Sequence, residues 1–140
     1  MQKRKSGCYC ITLRRAAQAI SDLYDAHMAA IGITVNQYSL LSKLGHYPNC
    51  SVSELAEYAR LERTTVVRAL KPLTAKGWIK DLSDEGERKR NLCLTAEGEE
   101  IVKKGKVIWH QEQEEIERRL GKDGVEQLQE LLEKLMEEDS

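Results

Sequence analysis

Apolar residues recur at three- and four-residue intervals along most of the chain, and breaks in that rhythm divide it into helices. Ile11, Ala16, Ala17, Ile20, Leu23, Tyr24 and Met28 trace one stripe, which Gly32 ends. Thr34-Val35-Asn36-Gln37 is a capping box, in which the threonine hydroxyl takes an orphan amide and Gln37 reaches back to the cap. The helix it starts turns Tyr38, Leu41 and Leu44 inward. Ser51-Val52-Ser53-Glu54 is a second such box, and Val52, Leu55, Ala56 and Ala59 share one face behind it. The rhythm fails at Arg60-Leu61-Glu62 and resumes at Arg63, with Val66, Val67, Ala69, Leu70 and Leu73 directed inward. A turn of that length joins the two helices of a DNA-reading pair.

Pro72 lies within the second helix of this pair, where it removes the bond its amide would give to the Arg68 carbonyl and predicts a kink rather than a stop. Lys76-Gly77 supplies the stop, because glycine takes the left-handed conformation that closes a helix. A hairpin is predicted next. Trp78–Leu82 and Arg90–Leu94 read as strands, and Ser83-Asp84-Glu85-Gly86-Glu87 between them is turn chemistry. Two short helices, a basic second helix and a charged hairpin, in that order, predict a mainly α fold with a small β-hairpin wing: a winged helix-turn-helix.

The outward face of the second helix carries Arg63, Thr64, Thr65, Arg68 and Lys71, the cationic and hydroxylic mixture used for phosphates and base edges. Arg88, Lys89 and Arg90 near the hairpin tip are long enough to reach a phosphate backbone or a minor groove. Ser51 and Ser53, at the head of the first helix of the pair, join these as candidate DNA contacts. The expected partner is double-stranded DNA.

Through Gly32–Tyr38, Ser53-Glu54-Leu55-Ala56, Leu70-Lys71-Pro72-Leu73, Lys76-Gly77-Trp78-Ile79 and Leu94–Gly98, the chain resembles the MarR family of bacterial transcription regulators. The order and spacing of these motifs carry the resemblance over nearly the whole length. It implies a dimeric winged-helix protein that binds an inverted repeat near a promoter and lets go, or changes grip, when a small-molecule or redox effector acts; a repressor is expected. It also implies a wing arginine at Arg88. The family frequently has an aspartate where this chain has Gly86, which puts the rigidity of the wing in question. Glu62 stands at the cap of the recognition helix, where its long side chain caps poorly.

At 140 residues the chain has room for a single domain. Within 1–140 we expect a DNA-binding lobe over 34–95 and N- and C-terminal dimerisation helices over 8–31 and 99–140. Thr95 can cap a long helix bearing Ile101, Val102, Val107, Ile108, Ile116 and Leu120, which Gly105 weakens. Asp123 and Glu126 would start the last helix, whose Val125, Leu128, Leu131, Leu132 and Leu135 form a wide apolar stripe. So small a chain needs a partner to cover that stripe, and Ile11, Ile116, Leu120, Leu128, Leu132 and Leu135 are the expected homodimer interface.

Charge enters through its distribution. The 22 basic and 23 acidic residues nearly cancel, leaving a net charge of −1. Lys3, Arg4, Lys5, Arg14 and Arg15 make the start basic, while eleven acids from Glu112 to Asp139 make the end acidic and keep it off phosphate. No stretch approaches the roughly twenty apolar residues that cross a bilayer, and Arg14 and Arg15 interrupt any signal region, so a cytoplasmic protein without membrane contact is expected. There is no phosphate-binding glycine loop and no nucleophile elbow, which argues against an enzyme. The rival is a winged-helix protein-interaction module that binds no DNA.

The effector is less legible. Cys8-Tyr9-Cys10 lies beside the basic start, where positive charge and a helix N-terminus raise thiol reactivity, so Cys8 and Cys10 are candidate redox sites; some redox-sensing relatives carry a cysteine near this position. Cys50 and Cys93 read as packing residues. His27, His46 and His110 form no HxxxH pair and the cysteines no CxxC, so neither a metal nor another cofactor is expected. The resemblance implies a small-molecule cleft between the dimer helices and the DNA-binding lobe. Tyr24, His27, Tyr38 and Trp109 are its candidate lining, with core packing as the alternative role.

Overall fold

The computed structural model describes residues 7–137. Its elements are α1 (Tyr9–Met28), a 3-10 turn (Ala29–Ile31), α2 (Val35–His46), α3 (Val52–Ala59), α4 (Arg63–Ala75), β1 (Ile79–Asp81), β2 (Leu92–Leu94) and α5 (Ala96–Met136). The basic Lys3, Arg4 and Lys5 and the acidic Glu138 and Asp139 lie outside the described residues. Among the described residues no helix is long and apolar enough to cross a membrane.

Local signals set the helix starts. Thr34 accepts the Gln37 amide at 3.1 Å while Gln37 Oε1 accepts the Thr34 amide at 3.0 Å, completing the first capping box. Ser51 and Glu54 reciprocate in the same way, at 3.1 and 3.0 Å. Thr95 accepts the Gly98 amide at 3.0 Å and opens α5. Asp25 Oδ1 takes the Val35 amide at 2.7 Å, which ties α1 to the head of α2.

Two apolar clusters form the core. Leu40, Leu41, Leu44, Leu55, Val66, Leu70, Leu73, Ile79 and Leu92 hold the lobe of α2, α3, α4 and the hairpin together. Met28, Ile33 and Tyr38 form a smaller cluster under α1, and Trp78, Ile101 and Val102 pack against both. Tyr38 approaches α5 so closely that a Cβ on Gly105 would stand 2.5 Å from its ring. Gly105, expected only to weaken α5, is the residue that admits the ring.

Several expectations need correction. Val67 is 39% exposed, because each helical step turns about 100° and sets it beside Arg63 and Lys71 instead of on the Val66–Leu70–Leu73 line. The end of α4 is as expected and needs none: Pro72 does not stop the helix, which runs on to Ala75 and is closed by Gly77 at φ 79°. The strands are shorter than predicted and pair antiparallel as Ile79 with Leu94, Lys80 with Cys93 and Asp81 with Leu92. Cys50 forms an isolated antiparallel bridge with Leu92, which ties the approach to α3 to the hairpin. The C-terminal break falls at Gly121 (φ 75°, ψ 165°) and not at Asp123.

Candidate nucleic-acid interface

Helix α4 has one face committed to the core and another left open. Val66, Leu70 and Leu73 are buried, whereas Arg63, Thr64, Thr65, Arg68 and Lys71 are all exposed along the opposite side. The entry to α4 is a tight turn in which Arg60 adopts the left-handed conformation (φ 56°) and Leu61 N–H donates to the Ala56 carbonyl at 2.9 Å. Glu62 is the N-cap and makes no side-chain cap bond. First-turn amides without a side-chain cap, at the positive end of the helix dipole, are suited to a phosphate oxygen.

The two serines at the head of α3 separate. Ser51 is buried and its hydroxyl is taken by the Glu54 amide, so it builds the helix start and is withdrawn as a contact. Ser53 is exposed.

The wing cations also differ from one another. Arg90 lies 3.3 Å from Asp81 on the opposing strand, and Lys89 Nζ lies 3.5 Å from Glu54 of α3. These two hold the wing to itself and to the lobe. Arg88 is exposed and, among the described residues, has no ion pair.

Asp81 anchors the wing. Its Oδ1 accepts the Ser83 hydroxyl at 2.7 Å, the Ser83 amide at 2.9 Å and the Asn91 amide at 3.0 Å. Burial opposes its ionisation, but the Ser83 and Asn91 donors and the Arg90 charge outweigh that and bring its pKa down to about 2. Glu54 is likewise held below its ordinary value, first by the Ser51 amide, then by the Ser51 side chain and Lys89. Gly86 turns the tip at φ 90°, and Glu87 Oε1 accepts the Asp84 amide at 3.1 Å. The anchor left open by Gly86 is thus supplied at the wing base. Asp81-Leu82-Ser83 is an Asx-turn signature that could have disclosed it in the sequence.

A cleft of about 760 Å³ opens beside the lobe, between α1, α2 and α5. Of the residues named for an effector site, Tyr24, Tyr38 and Trp109 line it. His27 does not: it turns to α5, where its Nδ1 meets the buried Glu112 carboxylate at 2.7 Å. Tyr24 bonds Gln113 of the same helix. Burial raises the Tyr24 pKa, with Glu112 and Glu117 adding to it, and burial raises that of Tyr38 against a hydrogen bond from Ser42. Ser42, Lys43, His46, Lys106 and His110 also face the cleft and were missed. Ser42 and His46 follow Tyr38 at four-residue steps, and Lys106 precedes Trp109 by three, so helical spacing from the named aromatics would have found these three.

The cysteines divide by exposure. Cys8, the N-cap of α1, and Cys10 are exposed, whereas Cys50 and Cys93 are buried, with burial raising the Cys50 pKa. The predicted interface residues Ile11, Leu120, Leu128, Leu132 and Leu135 are exposed, and Ile116 is half-buried.

A model of the MarR family matches residues 33–90. Over 86 residues the chain is 30% identical to YybA, an uncharacterised HTH-type transcriptional regulator of Bacillus subtilis, a match covering 61% of this chain and 57% of that one. The chain thus spans little more than half the length of that relative. Among solved structures it resembles a MarR variant from E. coli complexed with operator DNA, with a TM-score of 0.81 and 22% identity over 90% of this chain and 91% of that one. It also resembles the M. tuberculosis transcriptional regulator MOSR in complex with DNA, with a TM-score of 0.74 and 27% identity over 94% of this chain and all of that one. Residues 33–90 are thus similar to the MarR family, within a fold that these solved structures share.

Proposed function

We propose that this protein is a transcription regulator that binds an inverted-repeat operator in duplex DNA as a homodimer and represses transcription until an effector intervenes. The carrying observation is the open face of α4: Arg63, Thr64, Thr65, Arg68 and Lys71 are exposed together on a helix whose other face is sealed in the core. Arg63 and Lys71 suit phosphates, whereas Thr65 and Arg68 suit base edges in the major groove. Arg88 extends the contact from the wing, and the exposed Ser53 adds to it from the head of α3. The DNA complexes of the E. coli and M. tuberculosis proteins support the same use of this fold. Such a regulator works in the cytoplasm, where its operator is.

The effector site is the cleft between α1, α2 and α5. Lys43, Lys106, His46 and His110 among its lining, with no carboxylate, favour an anionic small molecule stacked on Tyr38 or Trp109. Oxidation of the exposed Cys8 or Cys10 is the second route of control.

The test is a mobility shift against duplexes selected from a random pool, repeated over a salt series. Affinity that falls steeply with salt and concentrates on an inverted repeat supports the reading. Flat salt dependence with no selected duplex would leave the protein-interaction module standing instead.

A further inference from the structure

The end of the recognition helix is fastened on two sides to helices outside its own lobe. Gly77 takes the left-handed turn, and the chain closes with Gly77 N–H donating to the Thr74 carbonyl at 3.0 Å and Trp78 N–H to the Leu73 carbonyl at 3.1 Å. From the C-cap, the Lys76 Nζ donates to the Gly32 carbonyl at 2.7 Å and lies 4.7 Å from the centroid of the Trp78 ring. Gly32 ends the 3-10 turn that prolongs α1, itself in the left-handed conformation at φ 75°. Carbonyls at such an end lack helical amide partners, and the helix dipole favours a cation there. The face of Trp78 steers the ammonium to the same place.

On the other side stands α5. Thr95 Oγ1 donates to the Gly77 carbonyl at 2.6 Å and Thr95 N–H to the Trp78 carbonyl at 3.0 Å. Gly98 passes so close to that carbonyl that any Cβ would collide with it. Elsewhere α4 packs mainly on α3 and β1, which belong to its own lobe. The tripeptide Lys76–Trp78 is therefore the joint at which α1 and α5 take hold of the recognition helix.

We propose that Lys76 is a positioning residue for operator recognition: by gripping Gly32 it sets where α4 stands relative to α1 and α5, and so the separation of the two recognition helices across the dimer axis. The inference rests on the dimeric DNA-binding function proposed above. Two half-sites about one DNA turn apart demand a fixed separation, whereas a single half-site does not.

Wild type, Lys76→Ala and Lys76→Arg are titrated against four duplexes. These are an inverted repeat selected from a random pool by the wild type, the same repeat with one central base pair added or removed, and an isolated half-site. Melting and sedimentation are recorded for each protein. Lys76→Ala is expected to stay dimeric, to melt near the wild type and to bind the half-site as the wild type does. Its affinity for the native repeat is expected to fall about tenfold, with a weakened preference for the native spacing. Lys76→Arg, which keeps the cation, recovers most of both. Unchanged spacing preference in Lys76→Ala, an equal loss on all four duplexes, or failure to fold as a dimer would each overturn the proposal, leaving Lys76 at most a structural prop. A wild type that selects no duplex overturns the DNA-binding reading instead, before any variant is measured.

Discussion

Of the wing cations, Arg88 alone has no acid partner among the described residues, and unpartnered charge is what a phosphate can use. Arg88→Ala is expected to weaken binding to every duplex alike and to lower the slope of log affinity against log salt by about one. Titrations at several salt concentrations measure it. Under the proposed function Arg68→Ala and Thr65→Ala are expected to act differently, since base-edge contacts discriminate by about 1–3 kcal/mol at single positions. Selection of bound sequences by these variants should show relaxed preference at particular bases. Gly105→Ala tests the core. Alanine is the better helix former by about 1 kcal/mol, but its methyl would stand 2.5 Å from the Tyr38 ring, and overpacking costs about 1–3 kcal/mol. Thermal unfolding should therefore register no gain and most often a loss, with the Tyr38 wall of the cleft displaced.

The wing depends on Asp81 more than on its own short strands. A carboxylate whose pKa is lowered on folding stabilises the fold fully above its ordinary value of 3.8, and that contribution is lost as pH falls toward about 2. Exchange protection of the Ser83 and Asn91 amides should decline across that window. Asp81→Asn should lack the decline and show weaker protection at neutral pH. The helices were legible in the sequence because their signals are local: both capping boxes and the Lys76-Gly77 stop are carried by adjacent residues. The wing was less legible because Asp81 meets Asn91 ten residues away and Lys89 reaches Glu54 on another element. The open face of α4 followed from helical period, while Val67, on its border, fell on the outer side. Ser51 was legible as a cap, and a cap that completes its bonds has little left to offer DNA.

At the scale of the molecule, the uncovered apolar surface is concentrated at the two ends of the chain. The first half of α1 is exposed throughout, and beyond the Gly121 break Leu128, Leu131, Leu132 and Leu135 are 42, 59, 36 and 65% exposed. The lobe packs its own core without them, so the stripe is free for a second copy, and a two-fold axis through it would present both recognition helices on one side. Acidic residues dominate this end, which under the proposed function would keep it off phosphate while α4 and the wing face the DNA. Replacing Leu128 and Leu132 together by glutamate places four charges in the interface of a dimer. With roughly 1–3 kcal/mol lost for each unpartnered polar group, the dimer dissociation constant should rise at least a hundredfold. Sedimentation should then find monomers at micromolar concentration that keep their helical content, because the lobe's apolar contacts are untouched. Binding to a full inverted repeat should collapse toward that of a single half-site. A variant that remained dimeric and bound the repeat as before would move the interface away from the C-terminal helix.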